Sequence, residues 1–169
     1  MREPYLFEKI ETALSAVGRL FRVSRPGRGK CGSDARVSND VVEEWIDGVC
    51  AALRGENTSD RLEIHYVCLL GKKRDGRREI ADFYDARAPD DREERPTFEE
   101  LLNRLAGGRA VFTLYHFPTV DHEPVPGEVK EKVRKLLEEL LARGHTVLVG
   151  CSSGKGRTME VLRSCRWAL

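Results

Sequence analysis

Thr146-Val147-Leu148-Val149-Gly150-Cys151-Ser152-Ser153-Gly154-Lys155-Gly156-Arg157-Thr158 decides the reading of this chain. Thr146–Val149 reads as a short strand, fully apolar in its centre, of the kind buried in a parallel sheet. A glycine-rich turn follows, and a last helix is predicted from Met159 to about Trp167. Such a strand–turn–helix aims backbone N–H groups at one point, which makes an anion site. It is not a nucleotide P-loop. Three residues rather than four separate Gly150 from Gly154, and Lys155 is followed by glycine. What remains is C-x5-R-T. A cysteine at a strand end and a helix N-terminus lies where the thiolate is favoured. Arg157 can offer its planar fork to two oxygens of the same anion.

Working outward, a long amphipathic helix is predicted over Gly127–Arg143, with Val129, Val133, Leu136, Leu137, Leu140 and Leu141 at helical spacing. Ala110–Phe117 reads as a strand, and the proline-rich Pro118–Pro126 that follows as a loop. Thr97-Phe98-Glu99-Glu100 is a capping-box signature opening a helix that Gly107-Gly108 stops. Leu62–Leu70 reads as a buried strand running into the basic turn Gly71–Arg78, and a charged stretch continues through Glu94. Asn39 or Asp40 can cap a helix carrying Val41, Val42, Trp45, Ile46, Val49 and Leu53, ended by Gly55-Glu56-Asn57. A short helix is predicted around Leu6–Val17, then an irregular basic segment with Arg19, Arg22, Arg25, Arg28 and Lys30. Strands alternate with helices, so the fold class is α/β: a central, mostly parallel sheet flanked by helices.

The 169 residues suit a single domain over 1–169, with 1–35 as an N-terminal extension packed on it, and the length allows a core without staples. The formal net charge of +1 argues against a bulk nucleic-acid binder. No apolar run is long enough to span a membrane, and no secretory signal is visible, which predicts a cytoplasmic protein. The absence of glutamine beside abundant Arg, Lys and Glu is a thermophile tendency. The five cysteines contain no C-x-x-C pair, and His65, His116 and His145 are dispersed, so no metal site is expected.

Cys151–Thr158 resembles the signature loop of the cysteine-dependent protein tyrosine phosphatase superfamily, in its compact dual-specificity branch. Gly154–Thr158 also looks like the loop of the phosphatase-and-tensin type. His116–Pro124 resembles the family's general-acid loop, with a helix and a strand between it and the cysteine. The resemblance implies a metal-free, cofactor-free phosphomonoester hydrolase. Cys151 is then the nucleophile, Asp121 the general acid and base, and Thr158 a donor to the departing thiolate. Arg157 and the backbone of Ser152, Ser153, Gly154, Lys155, Gly156 and Arg157 hold the phosphoryl oxygens. Its substrate would be a phosphorylated protein or a small anionic phosphomonoester. It also implies that Cys68, otherwise a small core residue, captures an oxidised Cys151 as a disulfide under peroxide, readable by peptide mapping. His122 is either an aid to anion binding or an exposed bystander.

Three departures stand out. The family has histidine where this chain has Gly150, and glycine where it has Met159. Leu169 comes where the family commonly continues with further helices, so the sheet is expected to be covered by the N-terminal segment or another subunit. A weak phosphate-binding module that has lost catalysis is the rival reading. A sulfurtransferase-like loop is a third, but it needs neither Asp121 nor Thr158. The basic turn is either solvated charge or, if Ile64–Leu70 lies parallel to Thr146–Val149, a set of cations (Lys72, Lys73, Arg74, Arg77, Arg78) gathered on the phosphate edge.

Overall fold

The computed structural model describes residues 6–13, 18–29, 36–54 and 61–168. The strands are β1 (Phe7–Ile10), β2 (Arg19–Ser24), β3 (Leu62–Cys68), β4 (Ala110–His116) and β5 (Thr146–Cys151). The helices are α1 (Asn39–Arg54), α2 (Phe98–Ala106), α3 (Gly127–Ala142) and α4 (Gly156–Ser164). The strands form one sheet in the order β1-β2-β5-β3-β4, parallel except for β1. The α/β class and the mostly parallel sheet are therefore as the sequence indicates. Lys30, Cys31 and Gly55-Glu56-Asn57 lie outside the described residues.

A parallel sheet must be covered on both faces, and the helices divide accordingly. Trp45, Ile46, Val49 and Leu53 of α1 pack with Leu101 and Leu102 of α2 over Ile64, Tyr66 and Phe112. On the other face, Val133, Leu137 and Leu141 of α3 join Val161 and Leu162 of α4 over Val67, Val147 and Val149. The capping box forms as read: Thr97 Oγ1 accepts from Glu100 N–H, and Glu100 accepts from Thr97 N–H.

The N-terminal region departs from expectation. In place of the start of a helix over Leu6–Val17, Phe7–Ile10 is a strand paired antiparallel to β2; residues 14–17 of that expectation lie outside the described residues. Phe7 packs on one face against Phe21, and Ile10 belongs to the core of the other. Both faces of the edge strand are used, which favours period two over a helical stripe. The N-terminal region also meets the chain's end, where Ala13 N–H donates to Trp167 C=O at 3.0 Å.

Three boundaries move. Ser38 rather than Asn39 or Asp40 precedes α1, and its side chain and carbonyl accept from Val41 and Val42 N–H. β5 runs two residues past Val149 because Gly150 and Cys151 pair with β2. Helix α4 begins at Gly156 and ends at Ser164 rather than spanning Met159 to Trp167, so its first turn takes in the last residues of the glycine-rich turn.

Candidate active site

The ends of β3, β4 and β5 open on one edge, because all three run parallel. Cys151, only 2% exposed, ends β5, and the turn from Ser152 to Lys155 leads directly into α4. Gly154 allows the turn with φ +76°. A cleft of about 590 Å³ lies above, lined by Cys151, Ser152, Arg157, Asp121, Glu160 and Arg163 among others.

Arg157 reaches back from the first turn of α4 into the floor. Its Nη1 and Nη2 form a bidentate pair with Glu79 at 2.6 and 2.9 Å, and both residues are buried. Nη1 also lies 3.4 Å from the Leu69 carbonyl and 3.3 Å from that of Thr119. Burial opposes the guanidinium charge, but the Glu79 carboxylate outweighs it and holds the arginine more basic than usual. Arg157 Nε and Thr158 Oγ1 are buried and have no hydrogen-bond partner among the described residues. Polar groups in that state are costly unless a ligand or water satisfies them.

Asp121 enters from the loop after β4. One oxygen lies 3.4 Å from Arg157 Nη2, the other 3.3 Å from Lys73 Nζ and 3.6 Å from His122 Nε2. Burial favours the protonated carboxyl, but Arg157, Lys73 and His122 prevail, holding it below the usual carboxylate range. The loop is tied to the end of β3 at several points. Phe117 N–H donates to Cys68 C=O at 2.9 Å, Thr119 Oγ1 to Leu69 C=O at 2.6 Å, and Asp121 N–H to Lys72 C=O at 2.8 Å. His116 adds a contact of 2.5 Å to the Leu70 carbonyl. His122 itself is exposed, with φ +63°.

The basic turn lies on the same sheet edge as Cys151, but its charges are largely engaged there. Lys73 pairs with Asp121, Arg74 donates to the His122 carbonyl, Arg77 pairs with Asp75, and Arg78 pairs with Asp82, Asp91 and Glu93. It is a brace for the acid loop more than an open field of positive charge. Cys68 is fully buried, its thiol pushed up to about 12, chiefly by desolvation. It is opposite Gly150 in register and packs in the cluster on the α1–α2 face, whereas Cys151 belongs to the α3–α4 face.

Two site residues escaped sequence reading. Glu79 sits within a stretch read only as charged, yet its neighbours Ile80, Phe83 and Tyr84 are buried and spaced as a packed turn. Arg25 was read as one of a basic run, yet it is fully buried beside the phosphate loop. The structure also explains Gly150. A Cβ there would lie 2.5 Å from the Val23 carbonyl oxygen of β2, so no side chain fits without moving that strand.

No family model matches the sequence, and no curated protein matches it. Among solved structures, the chain is similar to a crystal structure of kinase-associated phosphatase in which the catalytic-site cysteine is replaced by serine. The TM-score is 0.57 at 15% identity, over 98% of this chain and 74% of that one. The fold is that of a dual-specificity phosphatase.

Proposed function

We propose that this protein is a cysteine-dependent phosphomonoester hydrolase of the protein tyrosine and dual-specificity type. One observation carries the reading. Cys151, the unpartnered Nε of Arg157 and the carboxyl of Asp121 meet at a single cleft, although Asp121 is distant in sequence from the other two.

In the first step the Cys151 thiolate attacks phosphorus. The S–P bond forms as the P–O bond to the leaving group breaks, and protonated Asp121 gives its proton to the leaving oxygen. Arg157 and the N–H groups of Ser152 through Arg157 hold the three remaining oxygens, where charge accumulates. In the second step the Asp121 carboxylate takes a proton from water as the water oxygen attacks phosphorus. The S–P bond breaks, inorganic phosphate leaves, and Thr158 donates to the departing thiolate. The ion pair with Arg157 holds Asp121 ionised in the free protein. A phosphate dianion arriving at Arg157 supplies the opposite field and favours the protonated acid.

The same reading covers a phosphoprotein or small anionic phosphomonoester as substrate, a cytoplasmic location, and a Cys68–Cys151 disulfide under peroxide. Hydrolysis of para-nitrophenyl phosphate in the presence of a chelator tests it. Cys151→Ser is expected to remove at least about a thousandfold of turnover, and Asp121→Asn about a hundredfold. Absence of turnover in the wild type, with phosphate or vanadate still bound, would make the protein a phosphate-reading module instead.

A further inference from the structure

The end of β2 holds a charged group that neither chemical step employs. Arg25 is fully buried, its guanidinium 5.0 Å from the Phe83 ring centroid. Its Nη1 donates to Tyr84 Oη and to the Pro26 carbonyl, each at 3.3 Å, and Tyr84 Oη donates to that same carbonyl at 2.6 Å. Its Nε donates to Ser152 Oγ at 3.3 Å, and Arg28 Nη1 donates to the same oxygen at 3.3 Å.

The backbone reinforces this link. Ser24 is the register partner of Cys151, and one residue further Arg25 N–H donates to the Ser152 carbonyl at 3.0 Å. The pairing of β2 with β5 thus continues one residue into the phosphate loop. In a trans peptide the carbonyl and the next N–H point in opposite directions. Tying the Ser152 carbonyl to β2 therefore turns the Ser153 N–H away from β2.

The side chain of Ser152 is constrained as tightly. A hydroxyl has two lone pairs and one proton to give. Ser152 Oγ already receives two guanidinium N–H groups, so its O–H is the remaining donor, and Ser152 lines the cleft with Cys151 and Arg157. A hydroxyl that accepts from a cation is a stronger donor, because linked hydrogen bonds polarise one another.

We propose that Arg25 is a positioning residue for phosphoryl transfer: it holds Ser152, whose hydroxyl donates to an oxygen of the bound phosphoryl group. The phosphate loop is thereby anchored from β2, on the side where nothing larger than glycine fits at position 150. This rests on the phosphatase reading of the cleft and adds to it a donor and its support.

The test compares wild type, Ser152→Ala, Arg25→Met, Arg25→Lys and the Ser152→Ala/Arg25→Met double variant. It follows inorganic vanadate affinity by calorimetry, kcat and KM for para-nitrophenyl phosphate, and the unfolding temperature. Ser152→Ala is expected to weaken vanadate about tenfold, the loss of one hydrogen bond to a charged group, and to lower the unfolding temperature modestly, because the buried Arg25 Nε loses this acceptor. Arg25→Met should lose at least as much, Arg25→Lys less, and the double variant no more than Arg25→Met, because the arginine acts through the serine. Ser152→Ala binding vanadate like wild type overturns the inference while leaving the phosphatase reading intact, as do losses that multiply in the double variant. If Arg25→Met does not fold, Ser152→Ala decides alone. A wild type that binds no vanadate overturns the phosphatase reading and this inference together.

Discussion

Residues 151–157 and the segment 117–124, which is hydrogen-bonded to 71–79 behind it, meet at the cleft. The phosphate loop is contiguous, bounded by a buried strand and the first turn of α4, with a positive-φ glycine at its bend. The opposing wall has no regular structure of its own. It is held by backbone bonds between the two segments, by Thr119 on the Leu69 carbonyl, and by ion pairs that link Glu79, Arg157, Asp121 and Lys73. One wall is specified locally and the other by charges drawn together from separate parts of the chain. The turn after β5 is therefore built by local backbone geometry, while the position of Asp121 depends on side-chain electrostatics.

Removing Glu79 should expose this difference most. Glu79→Ala leaves the buried Arg157 guanidinium without its bidentate partner, which costs about 3–5 kcal/mol. At this chain length that is a drop of roughly 6–20 °C in Tm by calorimetry. An unchanged Tm would show that the acid wall does not depend on the pair.

A smaller effect is expected on the locally built wall. Gly150→Ala places a Cβ 2.5 Å from the Val23 carbonyl and must part β2 from β5. Overpacking of this kind costs about 1–3 kcal/mol, measured by urea unfolding, and a histidine at that position should cost more. An Ala variant as stable as wild type would contradict the close packing of the two strands.

The smallest perturbation separates charge from folding. In the proposed mechanism Asp121 acts as an acid only when protonated, so kcat/KM, which reports the free protein, should fall as pH rises through its titration. Lys73 and Arg157 hold that titration low. Lys73→Met removes one of these cations, which raises the titration and moves the alkaline limb of kcat/KM to higher pH. A limb that stays in place would mean that Lys73 braces the loop without tuning its acid.

The features that involve neighbours in the chain were legible in the residues. Thr97 and Glu100 are three apart and close their box wherever the helix lies. The Cys151–Thr158 turn likewise follows from a buried strand, two glycines and a helix start. Phe7–Ile10 was misread because its pattern has meaning only beside β2, whose edge it completes. Glu79 and Arg25 looked like ordinary surface charge because burial of an ion is a property of its surroundings. Each has, at zero exposure, partners far away in the chain: Arg157 for Glu79, and Ser152 and Tyr84 for Arg25.

The α/β class, the strand–turn–helix and the choice of Cys151 and Arg157 as candidates followed from sequence alone, because periodicity and backbone geometry are local; the choice of Asp121 came from the resemblance of its loop to the family's. Only the tertiary structure decided that Glu79 seats Arg157, that the basic turn braces Asp121, and that Gly150 is small because β2 lies against it. Those outcomes depend on desolvation and close contact between distant segments, and both exist only once the sheet has assembled.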